Sequence, residues 1–188
     1  WGEPTIVPFQ NLSLHPATSA LHYGQAIFEG LKAQKGANGE ILVFRPDMNA
    51  KRFNESAKRM CMAPIPEGIF LEGLKSLLNL DRAWVSSKDG QSLYIRPFMI
   101  ATDDYVGIRP SERYKFLIIT SPVGAYYSEP VKVKIETKYT RAAAGGVGRA
   151  KAAGNYAASL YPAKLAEEQG YRQLIWTDAK THTYIEEA

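Results

Sequence analysis

One lysine, Lys151, lies in a run of small residues that extends from Ala143 to Tyr156. Four glycines and five alanines in this run leave little side-chain bulk, so the backbone can turn sharply and another group can approach closely. An amine confined in such a place is poorly hydrated and can act as a nucleophile toward a carbonyl group. The alternative is a solvated lysine in a flexible loop, as most lysines are. Composition alone leaves both interpretations open.

Covalent chemistry between a lysine and an aldehyde cofactor needs more than the amine. It needs a carboxylate near the ring nitrogen, a hydrogen-bond donor for the ring oxygen, and cations or amides for a phosphate. The chain supplies residues of these types in Glu186 or Glu187, Tyr156 and Arg52. A P-loop is excluded, because its lysine directly follows the last glycine and precedes serine or threonine. The glycine spacing also excludes a dinucleotide-binding fingerprint.

Arg52 falls on a predicted helix that begins at Pro46 with Asp47 as its N-cap. Apolar residues recur on this helix at helical spacing and predict one buried face, which leaves Arg52 on the polar side. The buried face consists of Phe53, Ala57, Met60 and Cys61.

Two predicted strands and a second helix carry the other candidates. Ser92 to Ile100 alternates so that Tyr94 and Arg96 share one face, and Pro97 indicates an edge or an irregular stretch. A helix from Asn155 to Glu168 contains Pro162, which either kinks or divides it. A strand that begins at Tyr184 places Glu186 and Glu187 on opposite faces, so only one of them can serve a given site.

The 188 residues are 45% apolar, which is enough for a packed core, and carry a formal net charge of +4. Basic and acidic residues are interleaved along the chain, which argues against a nucleic-acid interface. A single cysteine excludes an internal disulfide and a cysteine zinc site, in keeping with a reducing cytosol. No apolar run is long enough for a membrane span. Because the chain opens on Trp1, we expect it to be a fragment of a longer protein.

The segment from Gly146 to Ser159 closely resembles the lysine segment of branched-chain amino-acid aminotransferases. Further similarity to this family occurs in the family's order along nearly the whole chain, at 11–16, 20–23, 28–33, 92–97 and 121–124. The resemblance implies a pyridoxal-phosphate enzyme of α/β (α+β) class with the class IV aminotransferase fold. It implies a small N-terminal domain at 1–121, an interdomain loop at 122–130, and the start of a larger cofactor domain at 131–188.

By position, Lys151 matches the family's Schiff-base lysine, which also carries a proton between substrate and cofactor. Glu187 matches the carboxylate that faces the pyridine nitrogen, with Glu186 as the adjacent alternative. Tyr156 matches the tyrosine at the ring oxygen, and Arg52 matches the phosphate arginine. A further arginine near the phosphate corresponds to Arg141.

The family's substrate pocket accepts both branched aliphatic side chains and the γ-carboxylate of glutamate. Aromatic rings suit the first and an arginine suits the second, since a guanidinium binds a carboxylate through two parallel hydrogen bonds. The resemblance implies ping-pong transfer between L-leucine, L-isoleucine or L-valine and 2-oxoglutarate by a homodimer, in the cytoplasm or the mitochondrial matrix. The residues that match this pocket are Tyr23, Phe28, Tyr94, Arg96 and Tyr126.

Two relatives that use the same cofactor are alternatives, namely D-amino-acid aminotransferase and aminodeoxychorismate lyase. The motifs around Phe28 and Arg96 favour the branched-chain enzyme. A different class of function is a non-catalytic binding or assembly role. The joint presence of Lys151, Tyr156 and Glu187 argues against it. The resemblance places further site residues beyond Ala188, so we expect this stretch alone not to transaminate.

Overall fold

The computed structural model describes residues 1–127 and 129–188. Within these residues the chain forms four α-helices and eight strands, with a 3-10 turn at Arg82–Trp84. The helices are α1 (Ser19–Tyr23), α2 (Pro46–Arg59), α3 (Glu67–Leu80) and α4 (Ala153–Glu168). The strands are β1 (Ala26–Phe28), β2 (Leu31–Lys35), β3 (Ile41–Val43), β4 (Ser92–Ala101), β5 (Tyr114–Val123), β6 (Val133–Glu136), β7 (Gln173–Thr177) and β8 (Ile185–Glu187).

The first sheet is built around β4, which pairs antiparallel with β5 on one side and with β1 and β2 on the other. Strand alternation buries Leu93 and Ile95 against the helices and leaves Tyr94 and Arg96 half-buried on the opposite face, as the alternation predicts. This sheet therefore delivers two candidate pocket residues to one surface.

Of the two alternatives predicted for Pro97, the edge is wrong, because Pro97 lies in the middle of the central strand, and an irregular stretch of pairing is found beside it. The carbonyl of Pro97 accepts the N–H of Glu29 at 2.8 Å, at the break between β1 and β2. In an extended strand the N–H and C=O of one residue point to the same side, so the N–H that proline lacks would fall at this break. No regular ladder bond is lost there.

Helices α2 and α3 cover the inner face of the first sheet. Phe53 of α2 packs its ring on Phe70 of α3 and on Phe116 of β5, with centroids 5.7 Å and 5.4 Å away. Both Phe53 and Phe70 are fully buried, and each contributes about 1.5–3 kcal/mol through burial of apolar surface. This core fixes the position of α2, which also carries the half-exposed Arg52.

Helix α2 begins at Pro46 as predicted, but its N-cap is Arg45 and Asp47 lies inside the first turn. An acidic residue in the first turn is favourable there because it faces the positive end of the helix dipole. The predicted burial of Cys61 is wrong, since Cys61 is exposed. The helix ends at Arg59 and Cys61 has a φ of 53°, so helical spacing no longer decides where its side chain points.

The second sheet consists of β6, β7 and β8, with β6 parallel to β7 and β8 antiparallel to it. Helix α4 packs on β7 through Ala166, Leu174 and Trp176, all buried. The helix is continuous through Pro162, which is buried, so the proline does not divide it. Glu187 of β8 pairs with Trp176, which brings the end of the chain back to this sheet.

The first sheet ends at Val123, so β5 extends over the first two residues of the predicted interdomain loop at 122–130, and the second sheet begins at Val133. Ser128 in that loop lies outside the described residues, and the division into domains stays a prediction. In the part of the chain that the structure describes, no helix is long and apolar enough to cross a membrane.

Candidate active site

The backbone of Lys151 is held by residues of α2 and β1. Its N–H donates to the hydroxyl of Ser56 on α2 at 2.9 Å, and its carbonyl accepts the N–H of Phe28 at 3.1 Å. The next residue, Ala152, forms a β-bridge with Ile27 of β1. The lysine therefore enters the site from a backbone that both α2 and β1 hold in place.

The glycine-rich segment is exposed at 143–146, but the part directly before the lysine is hydrogen-bonded and partly buried. The buried Asn155 donates from Nδ2 to the carbonyls of Val147 and Ala150, at 3.0 and 2.7 Å. A Cβ added to Gly148 would lie 2.2 Å from the Cβ of Ala142, so only glycine fits there. This packing argues against the interpretation of Lys151 as a solvated residue of a flexible loop.

The amine of Lys151 lies beside two aromatic rings, those of Phe28 and Tyr156. Its Nζ donates to the Tyr156 hydroxyl at 2.7 Å and stands 4.8 Å from the centroid of the Phe28 ring. The rings of Phe28 and Tyr156 are themselves 4.8 Å apart. The short spacing in sequence explains why the amine and the hydroxyl meet, since Tyr156 lies in the first turn of α4, directly after the segment that holds the lysine.

Arg52 is fixed by a carboxylate that the sequence predictions did not assign. Its Nε donates to Glu29 Oε1 at 2.6 Å and its Nη2 to Oε2 at 2.8 Å. These bonds raise the pKa of Arg52 above its usual value, against the opposing effect of burial, and the negative charge of Glu29 acts in the same direction. Glu29, which directly follows Phe28 in sequence, thus holds the guanidinium of Arg52.

Arg96 and Tyr94 form a second pair beside Phe28. The guanidinium of Arg96 donates to the Tyr94 hydroxyl from Nη2 at 2.8 Å and from Nε at 3.2 Å, and it lies 4.4 Å over the Phe28 ring. The Phe28 ring thus contacts both Arg96 and Lys151. An open cleft of about 260 Å³ runs along this surface, lined by Ala26, Ile27, Phe28, Arg96, Phe98, Ile119 and Ala153.

Arg141 and Glu187 form a third pair, with Nε and Oε1 2.7 Å apart. Arg141 is largely buried, and its Nη1 also reaches the carbonyl of Gly148 at 3.5 Å. Glu186 instead lines a separate cleft with Asp178 and Ala142, as expected for neighbours on a strand. The pair connects the carboxylate of Glu187 to the glycine segment of Lys151, and the assignment of Glu187 to a ring nitrogen stays a prediction.

A tight turn between β7 and β8 brings Glu187 back to this region. The carboxylate of Asp178 accepts hydrogen bonds from the backbone N–H groups of Thr181, Thr183 and Tyr184. These bonds, that of Tyr184 foremost, lower the pKa of Asp178 below its usual value. The charged form of Asp178 therefore stabilises the turn.

Two predicted pocket residues are not assembled with the others. Tyr126 is 81% exposed and packs its ring edge-on against Tyr127. Tyr23 lies at the end of α1 and its ring contacts His22. Among the described side chains, neither ring packs on Phe28 or Tyr156. Their assignment to the pocket stays a prediction.

Sequence reasoning missed the residues that hold the candidates in place. Glu29 occurs in the motif Phe28-Glu29-Gly30, but no pattern indicates that its carboxylate is buried. Ser56 lies three residues after Phe53 on the apolar face of α2, where a polar residue is unusual and signals a specific partner. Over residues 1–127 and 129–188, no group of His, Cys, Asp and Glu side chains is arranged to hold a metal ion.

Comparison with known proteins identifies relatives of the whole chain. The branched-chain-amino-acid transaminase 1 of Bacillus subtilis (strain 168) is 50% identical over 191 residues, which cover 100% of this chain and 54% of that protein. The branched-chain-amino-acid aminotransferase of Mycolicibacterium smegmatis is 46% identical over 191 residues, with 100% and 52% coverage. The chain thus spans about half the length of the curated relatives it matches.

Solved structures share the fold. A crystal structure of the T.th. branched-chain amino acid aminotransferase with pyridoxamine 5'-phosphate superposes with a TM-score of 0.80 at 26% identity, over 96% of this chain and 59% of that one. A sequence profile described as amino-transferase class IV matches residues 26–187. The predicted mixed α/β architecture and the resemblance are confirmed, and the chain belongs to the class IV aminotransferase family.

Proposed function

We propose that the protein to which this chain belongs transfers the amino group of L-leucine, L-isoleucine or L-valine to 2-oxoglutarate, with pyridoxal 5'-phosphate bound at Lys151. The observation that carries the proposal is the placement of the Lys151 amine, 2.7 Å from the Tyr156 hydroxyl and against the ring of Phe28. The names of the curated relatives and the pyridoxamine 5'-phosphate in the T.th. enzyme structure support it.

The side chains present fit this cofactor. Lys151 would hold its aldehyde carbon, Tyr156 its ring oxygen, and Arg52 its phosphate, while Glu187 would face the ring nitrogen with Arg141 nearby. Arg52 uses two of its five N–H groups on Glu29, which leaves donors for an anion on its half-exposed outer edge. When bound, pyridoxal phosphate supplies an electron-withdrawing ring that stabilises negative charge on the substrate α-carbon.

The residues of this chain would divide the remaining work. Lys151 accepts and returns the proton at the substrate α-carbon, which requires its neutral form. The Tyr156 hydroxyl accepts a hydrogen bond from the amine and fixes its direction. The rings of Phe28 and Tyr156 lie beside the amine, and the backbone hydrogen bonds of Lys151 to Ser56 and Phe28 set the position of the residue.

Substrate side chains of two kinds would use the cleft beside Phe28. Its walls at Ile27, Phe98 and Ile119 are apolar and suit branched aliphatic side chains. Arg96, oriented by Tyr94, can bind the distal carboxylate of glutamate or 2-oxoglutarate. Since both substrates would use one cleft in turn, the transfer would follow a ping-pong course. A homodimer located in the cytoplasm belongs to the same proposal.

The test uses the full-length protein loaded with pyridoxal phosphate. Borohydride reduction followed by peptide mass mapping is expected to find the cofactor attached to Lys151, and the Lys151→Ala variant is expected to show no adduct. An adduct on a different lysine of the folded protein would overturn the assignment. Steady-state rates with L-leucine, D-alanine and 2-oxoglutarate then separate the branched-chain activity from that of a D-amino-acid aminotransferase, which would prefer D-alanine.

A further inference from the structure

Glu29 is a completely buried carboxylate, with 0% of its side chain exposed. A buried charge costs several kcal/mol unless it is paired and hydrogen-bonded. Both oxygens of Glu29 are satisfied: Oε1 by Arg52 Nε at 2.6 Å, and Oε2 by Arg52 Nη2 at 2.8 Å, by Asn49 Nδ2 at 2.7 Å and by the N–H of Gly30 at 3.2 Å. Its position is therefore set by three residues besides its own backbone.

The backbone of Glu29 is equally constrained. Its N–H donates to the carbonyl of Pro97 in the central strand, and it directly follows Phe28, whose N–H binds the Lys151 carbonyl. One short segment thus touches both the lysine and Arg52. The backbone of Glu29 is hydrogen-bonded to the central strand and its carboxylate is hydrogen-bonded to Arg52, so the guanidinium is held at a fixed position relative to the sheet.

The geometry of the pair determines which edge of Arg52 is available. A guanidinium is planar, and Glu29 occupies the edge formed by Nε and Nη2. The remaining N–H groups lie on the other edge of a side chain that is 54% exposed. Ser56, one helical turn after Arg52, binds the Lys151 backbone, so the same side of α2 serves both residues.

We propose that Glu29 is the positioning residue for Arg52: it fixes the guanidinium so that the outer N–H groups face a phosphate monoester bound beside Tyr156. The inference rests on the proposed function, because the phosphate is that of the proposed cofactor. It goes beyond that function by assigning a role to a carboxylate that would not itself touch the cofactor.

Charge and positioning make opposite predictions for the removal of Glu29. If Glu29 acted only through its negative charge, its removal would leave the site one unit more positive and strengthen the binding of an anion. If it orients Arg52, its removal weakens the binding of a phosphate although the site becomes more positive. A purely structural role predicts equal changes for ligands with and without a phosphate.

The experiment compares pyridoxal 5'-phosphate with pyridoxal, which lacks the phosphate, by equilibrium dialysis against the full-length protein. For Glu29→Gln, we expect the preference for the phosphorylated ligand to fall by about 10–100-fold, the range for hydrogen bonds to charged groups, with pyridoxal binding unchanged. In an Arg52→Lys background the same substitution should cause little further loss. The matched control is Glu72→Gln, which removes an exposed carboxylate from α3.

An unchanged or increased preference in folded Glu29→Gln overturns the proposal, as does an equal loss for both ligands. If Glu29→Gln does not fold, Asn49→Ala decides, since it removes one support of the carboxylate and keeps every charge. A selective loss of a few-fold for the phosphorylated ligand then supports the proposal, and no selective loss overturns it. If the wild-type protein itself does not prefer pyridoxal 5'-phosphate over pyridoxal, the proposed function is contradicted, and with it the role of Glu29.

Discussion

Ser56 accepts a hydrogen bond from the backbone N–H of Lys151 at 2.9 Å, although the two residues are 95 positions apart in sequence. Ser56 is buried on α2, the helix that also carries Arg52, and α2 is itself fixed by the aromatic core around Phe53. The position of the lysine backbone therefore depends on the first sheet and its helices. The neighbouring Ala152 adds a second contact to the same region through its β-bridge with Ile27.

The Ser56→Ala variant tests this anchor. Removal of the hydroxyl leaves the Lys151 N–H without its acceptor, and we expect the variant to lose about 1–2 kcal/mol of stability. Hydrogen–deuterium exchange should become faster in the peptide that contains Lys151, while peptides of β4 stay protected. Ser76→Ala, at an exposed position on α3, is the control. Unchanged exchange at Lys151 would show that the hydroxyl does not hold the segment.

Two glycines on either side of the lysine should respond differently to the same added methyl group. A Cβ at Gly148 would meet the Cβ of Ala142 at 2.2 Å, whereas a Cβ at Gly154 meets no atom within 4 Å. We expect Gly148→Ala to destabilise the protein by about 1–3 kcal/mol through overpacking. Gly154→Ala, in the first turn of α4, should be neutral or slightly stabilising. Thermal unfolding of both variants measures the difference, and equal unfolding temperatures would contradict the packed geometry.

The hydroxyl of Tyr156 should matter to catalysis through its contact with the Lys151 amine. Tyr156→Phe keeps the ring that packs on Phe28 and removes only the hydroxyl. We expect the rate of amino transfer by the full-length protein to fall by about 10–100-fold. Tyr161→Phe, which removes an exposed hydroxyl from the same helix, should retain the wild-type rate. Similar rates of amino transfer for both variants would show that the Tyr156 hydroxyl has no role in catalysis.

Sequence patterns predicted the features that depend on local periodicity. Alternation along β4 placed Tyr94 and Arg96 on one face, and the same rule separated Glu186 from Glu187. Positions set by long-range packing were not predictable in this way. Pro97 sits in a central strand because two neighbouring strands break beside it, and Cys61 is exposed because the helix ends before it.

The supporting contacts of the site also depend on long-range packing and were not predictable from local periodicity. Glu29 and Ser56 act on residues 23 and 95 positions away, and neither spacing follows a helical or strand period. The lysine segment itself was found because the resemblance covers it residue by residue. The side chains around it became visible only when α2 and β1 were placed against that segment.

Arg96 should distinguish the two classes of substrate. Lysine in its place keeps the positive charge but cannot offer two parallel N–H groups to a carboxylate or to the Tyr94 hydroxyl. We expect Arg96→Lys to lower kcat/KM for 2-oxoglutarate by about 10-fold or more and to affect L-leucine less. Arg82→Lys, at an exposed position, is the control. An equal loss for both substrates would show that Arg96 does not bind the distal carboxylate.

The turn before Glu187 should lose stability in acid. The hydrogen bonds to the Asp178 carboxylate favour its charged form and hold its pKa below the usual value. The stabilisation is therefore complete above about pH 4, the pKa of an unfolded aspartate, and is lost as the pH falls through the lower pKa of the folded state. We expect the amides of Thr181 and Thr183 to exchange faster below pH 4, relative to their intrinsic rates. Asp178→Asn should remove this pH dependence and Asp89→Asn, at an exposed position, should keep it.

Because β8 follows the turn directly, the Asp178 variant should also weaken the pairing of Glu187 with Arg141. An intact pair in that variant would show that the turn does not position the carboxylate of Glu187.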